Sequence, residues 1–352
     1  MNMTDWLHEP ATSIDSNAMD LARSHQNMLT KPQGALGELE NIAITFAGFQ
    51  GQVIPQLNKI CVRVFAADHG VCAQNVSAFP QIVTTQMVQN FICGGAAISV
   101  LSRQLGADFS VVNMGIANPL IQKHGVLDHS IAPGTEDFSE QPAMTIEQCA
   151  AALAIGRDLI NDTDTSSGKY PDLFIGGEMG IGNTSSAAAI YSALLDLPAE
   201  LTVGPGTGLK ESAITHKRSV VTKALRLHQS ATLPLVILQC FGGFEIAALT
   251  GSYVAAAQRG IPILVDGFIS TAAALLACKL NDSVRPWLIF SHQSAEPAHI
   301  IALEALQAQP LLNLNMRLGE GSGAAVAVPL IQSALTLHKQ MATFDQAGVS
   351  AS

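Results

Sequence analysis

Short apolar runs alternate with longer helix-like segments between residues 58 and 312, and this alternation constrains the fold more than any other feature. The runs predict strands at 60–66, 109–113, 173–175, 233–239, 261–265 and 287–290. The segments between them predict helices near 81–105, 144–161, 183–196, 210–228, 244–258, 270–280 and 296–308. Strands that alternate with helices of this length form βαβ units. We therefore predict an α/β fold with a mostly parallel sheet that helices cover on both faces.

The two ends of the chain have a different pattern. Residues 13–50 predict two helices separated by a turn at 31–34, and a glycine-rich loop at 318–323 leads into a last helix of about twenty residues. These segments are expected to pack together as a small helical subdomain. The predicted division is 1–55 for the N-terminal helices, 56–318 for the α/β domain, and 319–352 for the loop and C-terminal helix.

Composition and charge exclude several classes of protein. Hydrophobic residues make up 48% of the chain and charged residues 13%, which suits buried parallel strands and not a disordered chain. The net charge is −10 with no compensating cluster of Lys and Arg, so nucleic acid is not an expected partner. A small anionic substrate is compatible with this charge, provided that helix N-termini and one or two cations hold it.

The protein is expected to be cytoplasmic and to have no membrane span. The first thirty residues contain acidic residues and no apolar core of a signal peptide, and charge or glycine interrupts each apolar stretch. The six cysteines form no CxxC pair, which favours reduced thiols in the core.

Polar residues and glycines are concentrated immediately after the predicted strands. In open parallel sheets, ligands bind beyond the carboxyl ends of the strands. These segments together predict a ligand site at one edge of the sheet, and they lie at 67–70, 113–115, 176–184, 241–245, 266–268 and 291–292.

The loop at 176–184 contains four glycines, followed by Asn183 and Thr184. Glycines let the backbone approach a ligand closely, and the capped helix N-terminus suits a phosphate. An ordinary strand-to-helix turn would use the same residues, so both interpretations stand. The loop matches neither a P-loop nor the dinucleotide fingerprint. A second candidate phosphate loop lies at 204–208, within reach of Lys217, which on its own also suits a solvated helix face.

Glu320 lies between two glycines that leave it accessible to a substrate. Apolar walls would raise the pKa of its carboxyl toward the range of a general base. An acidic residue at a helix N-terminus is the equally good alternative. His69, His292 and His299 lack the spacing of known metal sites, so neither a metal nor a cofactor is expected.

Nine motifs resemble those of the nicotinate-nucleotide–dimethylbenzimidazole phosphoribosyltransferase family, in order and over nearly the whole chain. They are KPQGALG at 31–37, ADHGV at 67–71, VSAFP at 76–80 with QM at 86–87, GGAAI at 94–98, GEMGIGNT at 177–184, GGFE at 242–245, DGFI at 266–269, SHQSAE at 291–296 and RLGEGSGAA at 317–325. The resemblance implies a Rossmann-like sheet with a small helical domain, assembled as a homodimer. It implies transfer of the phosphoribosyl group of nicotinate mononucleotide to 5,6-dimethylbenzimidazole. The products are α-ribazole 5′-phosphate, for the lower-ligand nucleotide loop of cobalamin, and nicotinate.

The same resemblance implies roles for individual residues. Glu320 is the implied general base and Glu178 a second active-site carboxylate. The implied phosphate and ribose residues are Gly180, Gly182, Asn183, Thr184, Gly206, Lys217 (from its own or the partner subunit), Asp266 and Ser294. The implied benzimidazole residues are Ser77, Phe79, Gln86 and Leu318. Asn113 stands where the family pattern has Asp, and no role is assigned to it.

Two other functions remain open from the sequence. The first is another enzyme on the same architecture, such as a nucleotide hydrolase or a nucleotide-dependent oxidoreductase. A hydrolase would consume nicotinate mononucleotide without an added base. The second is a non-catalytic protein that carries the base or its ribotide. Two carboxylates argue against that function, because binding a neutral aromatic base does not require them.

Overall fold

The computed structural model describes residues 3–120, 124–164, 170–206 and 208–350. Within these residues, six strands form one parallel sheet in the order β3-β2-β1-β4-β5-β6. The strands are β1 (Ile60–Ala67), β2 (Asp108–Gly115), β3 (Val126–Asp128), β4 (Leu173–Met179), β5 (Ile263–Val265) and β6 (Leu288–Phe290). The predicted α/β class with a Rossmann-like parallel sheet is confirmed.

Helices account for most of the remaining described chain. They are α1 (Ser16–Met28), α2 (Glu38–Gln50), α3 (Ile82–Ile92), α4 (Ala97–Leu105), α5 (Ile146–Asn161), α6 (Asn183–Leu195), α7 (Ala199–Thr202), α8 (Glu211–Leu227), α9 (Pro234–Phe241), α10 (Phe244–Gln258), α11 (Phe268–Leu280), α12 (Ala298–Ala305), α13 (Ser322–Gln340) and α14 (Phe344–Ala347). Short 3-10 segments lie at Asp5–His8, Gly70–Gln74, Asp162–Asp164 and Asp282–Trp287. In the described ranges, no helix combines the length and apolar character that crossing a membrane requires.

Strand β1 lies in the middle of the sheet, and every residue in it is buried. It pairs with β2 on one side and β4 on the other, which explains why its sequence is apolar except for Arg63, whose guanidinium reaches Asp108 at 2.6 Å. The chain runs outward from β1 through β2 to β3 and then returns to add β4 on the opposite side. The sheet therefore has a topological switch point between β1 and β4, and all its carboxyl ends face one edge.

The prediction of a strand at 233–239 is wrong, because these residues form helix α9. Pro234 occupies the first turn of this helix, where its fixed φ and missing N–H are tolerated. A proline cannot donate to a strand ladder, and a short apolar run alone does not separate a buried strand from a buried helix. Strand β3 was not predicted, since it has only three residues at the sheet edge and none of them is buried.

The helix-like stretch predicted at 81–105 is two helices, α3 and α4. Gly94 separates them, with a φ of 79° that glycine adopts without strain. The other predicted helices are present with shifts of a few residues at their ends.

Helices α1, α2 and α13 pack together, as the predicted helical subdomain requires. The buried Gln26 side chain bonds the ring of His338 at 2.8 Å, and His25 bonds the His338 carbonyl oxygen at 2.8 Å. Leu29 pairs with Thr343 in an isolated bridge. The domain boundaries at 55/56 and 318/319 stay a prediction.

Gly156→Ala is expected to lower the free energy of unfolding by about 1–3 kcal/mol, the usual cost of overpacking a close contact. A Cβ at Gly156 in α5 would overlap the carbonyl oxygen of Ala248 in α10, which is backbone and cannot rotate away. Chemical denaturation measures the change. Gly48→Ala is the matched control, because its nearest atoms belong to the Met19 and Ile14 side chains. An equal loss in both variants would contradict the backbone-contact argument.

Candidate active site

A cleft lies beyond the carboxyl ends of β4, β5 and β6. The residues that line it are Glu178, Met179, Gly180, Ile181, Asn183, Thr184, Gly206, Asp266, Gly267, Phe268, Ile269, Ser270, His292, Ser294, Glu296, Arg317, Leu318, Gly319 and Glu320. The predicted location at the carboxyl edge of the sheet therefore contains a cleft.

Glu320 has a φ of 67°, the left-handed conformation that residues other than glycine seldom adopt. Such a conformation persists where the surroundings fix it. Its N–H donates to Oε1 of Glu178 at 3.4 Å. The next N–H, of Gly321, donates to Oδ2 of Asp266 at 3.1 Å. Two buried carboxylates thus hold the loop that carries Glu320.

Glycines make this close approach between the loop and β4 possible. A Cβ at Gly319 would overlap Oε1 of Glu178, and a Cβ at Gly177 would overlap the carbonyl oxygen of Glu320. Gly319 also has a φ of 83°. The glycines beside the two carboxylates therefore serve backbone packing, in addition to leaving Glu320 accessible.

The carboxyl of Glu320 is 5% exposed, and its Oε2 has no hydrogen-bond partner among the described residues. Burial, followed by the negative charge of Asp266, raises its pKa to about 7. A carboxylate with that pKa exchanges protons near neutrality, which is the property of a general base.

Glu178 lies at the end of β4 and is buried. Burial, then the charges of Asp266 and Glu245, raise the pKa of its carboxyl well above the ordinary value. Its Oε2 accepts a hydrogen bond from the side-chain amide of Asn183. Both oxygens of Glu178 therefore contact the protein, one at the Glu320 loop and one at the start of α6.

Asp266 and His292 form a buried pair, with 3.5 Å between Oδ1 and Nε2. Burial alone would raise the pKa of Asp266, but the hydrogen bond and charge of His292 lower it. Burial likewise opposes protonation of His292, but Asp266 raises the pKa of its ring. These directions favour a charged pair beside the Glu320 loop.

The two predicted phosphate loops lie together at the other end of the cleft. Lys217 is 1% exposed, and its Nζ donates to Oγ1 of Thr184 at 2.7 Å within the same chain. A Cβ on Gly206 would lie 3.3 Å from that Nζ, and Arg317 donates to the Gly206 carbonyl at 3.1 Å. Burial lowers the pKa of Lys217 to about 8, while Glu296 opposes that change. Thr207, in the second loop, lies outside the described residues.

The structure brings most of the predicted site residues to this cleft. Those in its lining are Glu178, Gly180, Asn183, Thr184, Gly206, Asp266, Ser294, Leu318 and Glu320. Gly182 precedes α6 with a φ of 100°. Lys217 is not in the lining, but it contacts the lining residue Thr184.

The other predicted benzimidazole residues do not line this cleft. Ser77 and Phe79 border a separate hollow at 70–81, where the Phe79 N–H donates to the Ser77 hydroxyl at 3.2 Å. Gln86 is exposed on α3. Helix α3 nevertheless contacts the cleft loop, because the Ile181 N–H donates to Oγ1 of Thr84 at 3.1 Å.

The sequence assigned no role to His292, Glu296 or Arg317, although all three line the cleft. His292 and Glu296 follow β6, and Arg317 directly precedes the Glu320 loop. The position of His292 and Glu296 after a strand was a usable signal, but charge patterning alone did not distinguish the three residues from ordinary loop residues.

A Rossmann-like sheet, a glycine-rich loop at a helix N-terminus and buried carboxylates beyond the strand ends are together typical of α/β enzymes. The model of a phosphoribosyltransferase family matches residues 11–349. The chain belongs to that phosphoribosyltransferase family, a group of pentosyltransferases.

The chain is also similar to named relatives and solved structures. It is 52% identical to a nicotinate-nucleotide–dimethylbenzimidazole phosphoribosyltransferase of Pseudomonas putida strain W619, over 99% of both chains. It is 52% identical to the protein of that name in Azotobacter vinelandii strain DJ, over 98% of both. The crystal structure of CobT from Thermus thermophilus is 42% identical with a TM-score of 0.90, over 96% of this chain and 100% of that one.

Proposed function

We propose that this chain transfers the phosphoribosyl group of nicotinate mononucleotide to 5,6-dimethylbenzimidazole, giving α-ribazole 5′-phosphate and nicotinate for the lower-ligand nucleotide loop of cobalamin. The relatives named for this activity match nearly the whole chain at 52% identity. The observation that carries the proposal is Glu320, a buried carboxylate in the cleft with an unpartnered oxygen and a pKa of about 7.

The chemistry needs a base but no acid. The bond between C1′ and the nicotinate ring nitrogen breaks, and its electron pair goes to the ring nitrogen, which leaves as a neutral pyridine. A benzimidazole nitrogen forms the new bond to C1′ with inversion. The other ring nitrogen then gives its proton to Glu320, so that the product carries no extra charge. The carboxylate also stabilises the positive charge that develops at C1′.

We propose that Glu178 acts as the second carboxylate of the site, beside the ribose. It lines the cleft, its hydrogen bond to the Glu320 N–H fixes the base, and its bond to Asn183 fixes the start of α6. One residue would thus connect the base to the nucleotide-binding end of the cleft. Ser294, also in the lining, stays a proposed nucleotide contact.

The phosphate is proposed to bind at the N-terminus of α6, against Gly180, Gly182, Asn183, Thr184 and Gly206. The partial positive charge of a helix N-terminus favours an anion, and Lys217 adds a full charge next to Thr184. This local potential supports anion binding despite the net charge of −10.

The benzimidazole is proposed to bind near Leu318. Ser77, Phe79 and Gln86 lie outside the cleft lining, and they are proposed to contact the base from the segment at 77–86, which contacts the cleft loop through Thr84. Leu318 lines the cleft two residues before Glu320, and its side chain is 57% exposed to solvent. Phe79 is 49% exposed and offers an aromatic face for a flat bicyclic base.

We also propose that the protein is a cytoplasmic homodimer that uses neither metal nor cofactor. The homodimer and the cytoplasmic location rest on the family resemblance. The proposed reaction requires neither a metal nor a cofactor, since the cationic ring nitrogen already makes nicotinate a good leaving group.

Incubation with nicotinate mononucleotide and dimethylbenzimidazole is expected to release nicotinate and α-ribazole phosphate in equal amounts, measured by liquid chromatography. Omission of the benzimidazole is expected to stop the release. Release of nicotinate without the base would favour a nucleotide hydrolase. Binding of either substrate without any product would favour a carrier protein.

A further inference from the structure

We propose that Asp266 and His292 are positioning residues that hold the loop carrying Glu320 and fix the placement of its carboxylate, and that neither binds ribose or phosphate. This inference deepens the proposed function and rests on Glu320 as the base. It assigns a role to His292, which the sequence left without one, and a different role to Asp266.

Both carboxylate oxygens of Asp266 are already occupied by the loop. Oδ2 accepts from the Gly321 N–H at 3.1 Å, and Oδ1 accepts from the Ala324 N–H at 2.9 Å. These N–H groups flank the start of α13, directly after Glu320. A carboxylate bound in this way fixes the backbone on the C-terminal side of the base, as Glu178 does at its own N–H. With the His292 ring beside Oδ1, three of the about four acceptor sites of this carboxylate face protein groups, and an anionic phosphate would be repelled.

His292 lies close to two glycines, Gly323 in the first turn of α13 and Gly267 directly before α11. A Cβ on Gly323 would overlap the imidazole ring, and one on Gly267 would lie 3.2 Å from its Nε2. The backbone of His292 is fixed by its bridge to Leu312. The ring therefore has little freedom to leave Asp266, from which its Nε2 is 3.5 Å away.

The charged groups around Glu320 come from several elements. Glu178 faces it from β4, Asp266 from the segment after β5, and His292 from the segment after β6. Arg317, three residues before it, donates to Gly206. Farther along the same cleft lies Glu296, and Lys217 contacts Thr184 of the lining there. Asp266 is the charge that raises the pKa of Glu320, after burial. His292 compensates part of that charge when it is protonated, so the pair acts on the base in two opposing directions.

The test is the pH profile of kcat/KM for nicotinate mononucleotide, whose acid limb reports the ionisation of the base. In Asp266→Asn the negative charge is lost, so the acid limb is expected to move down by about one pH unit. Loss of one anchoring oxygen is expected to lower kcat by about 10–100-fold through misplacement of Glu320. The KM for the nucleotide is expected to change little.

His292→Gln gives the opposite signature. Glutamine keeps a donor toward Asp266 but carries no charge, so the acid limb is expected to move to higher pH. A merely structural role would not move the two limbs in opposite directions. Asp345→Asn, an exposed acid on α14, is the matched control with an unchanged profile.

Unmoved acid limbs in both variants, or a KM for the nucleotide raised tenfold with the limb unchanged, would overturn the inference. If circular dichroism shows that Asp266→Asn does not fold, the direction in which the acid limb of His292→Gln moves tests the inference by itself. Failure of the proposed function would be seen elsewhere, in unaltered protein that releases no nicotinate when the base is added.

Discussion

Glu320→Ala is expected to lower kcat by about 10²–10⁴-fold, the usual contribution of a positioned general base. The variant should fold and still bind nicotinate mononucleotide, because the proposed phosphate contacts lie at the far end of the cleft around Thr184 and Lys217. The benzimidazole would then have to lose its N–H proton to water. Steady-state rates of nicotinate release, with nucleotide binding measured by calorimetry, check both parts.

Glu304→Ala is the matched control for this experiment. Glu304 is exposed on α12 and outside the cleft lining, so its variant should turn over at the unaltered rate. A Glu320→Ala rate within about threefold of the unaltered protein, far below the usual effect of a lost base, would remove Glu320 from the mechanism. Loss of nucleotide binding along with turnover would instead assign it a binding role.

The central strands of the fold could be predicted from sequence because burial on both faces leaves a clear pattern. Strand β1 is apolar at every position except Arg63, and its predicted end differs from the observed one by a single residue. The run at 233–239 is also apolar, but it forms helix α9. Pro234 was the one residue in it that argued against a strand. Strand β3 has too few residues to leave any pattern. Periodicity is thus informative where an element is long and its burial is uniform.

The site was predictable in its location and in its glycine-flanked carboxylate, but not in its internal contacts. Glu178 and Glu320 are 142 positions apart, and no pattern in the sequence shows that one accepts from the backbone of the other. The same holds for His292 and Asp266, whose pairing depends on how β5 and β6 lie side by side. Such contacts follow from the order of strands in the sheet, which sequence reasoning did not determine.

A second large effect of Glu320 is expected on stability. Its pKa is about 7 in the folded protein against an ordinary value of 4.5. Below pH 4.5 Glu320 is protonated in both the folded and the unfolded protein, so its ionisation does not lower the free energy of unfolding. As the pH rises toward 7, the unfolded chain releases the proton first, so the free energy of unfolding falls. Above pH 7 the loss is complete, at about 3 kcal/mol for a shift of this size.

Glu320→Gln removes that loss, because glutamine has nearly the same shape and cannot ionise. The variant is expected to be more stable than the unaltered protein by up to about 3 kcal/mol at pH 8, and by less than about 1 kcal/mol at pH 5. Urea unfolding at the two pH values measures the difference, with Glu304→Gln as the exposed control. Equal gains at both pH values would mean that Glu320 ionises freely in the folded state. A gain confined to high pH, together with lost turnover, would show that the protein retains a destabilising buried carboxylate because the reaction requires a base.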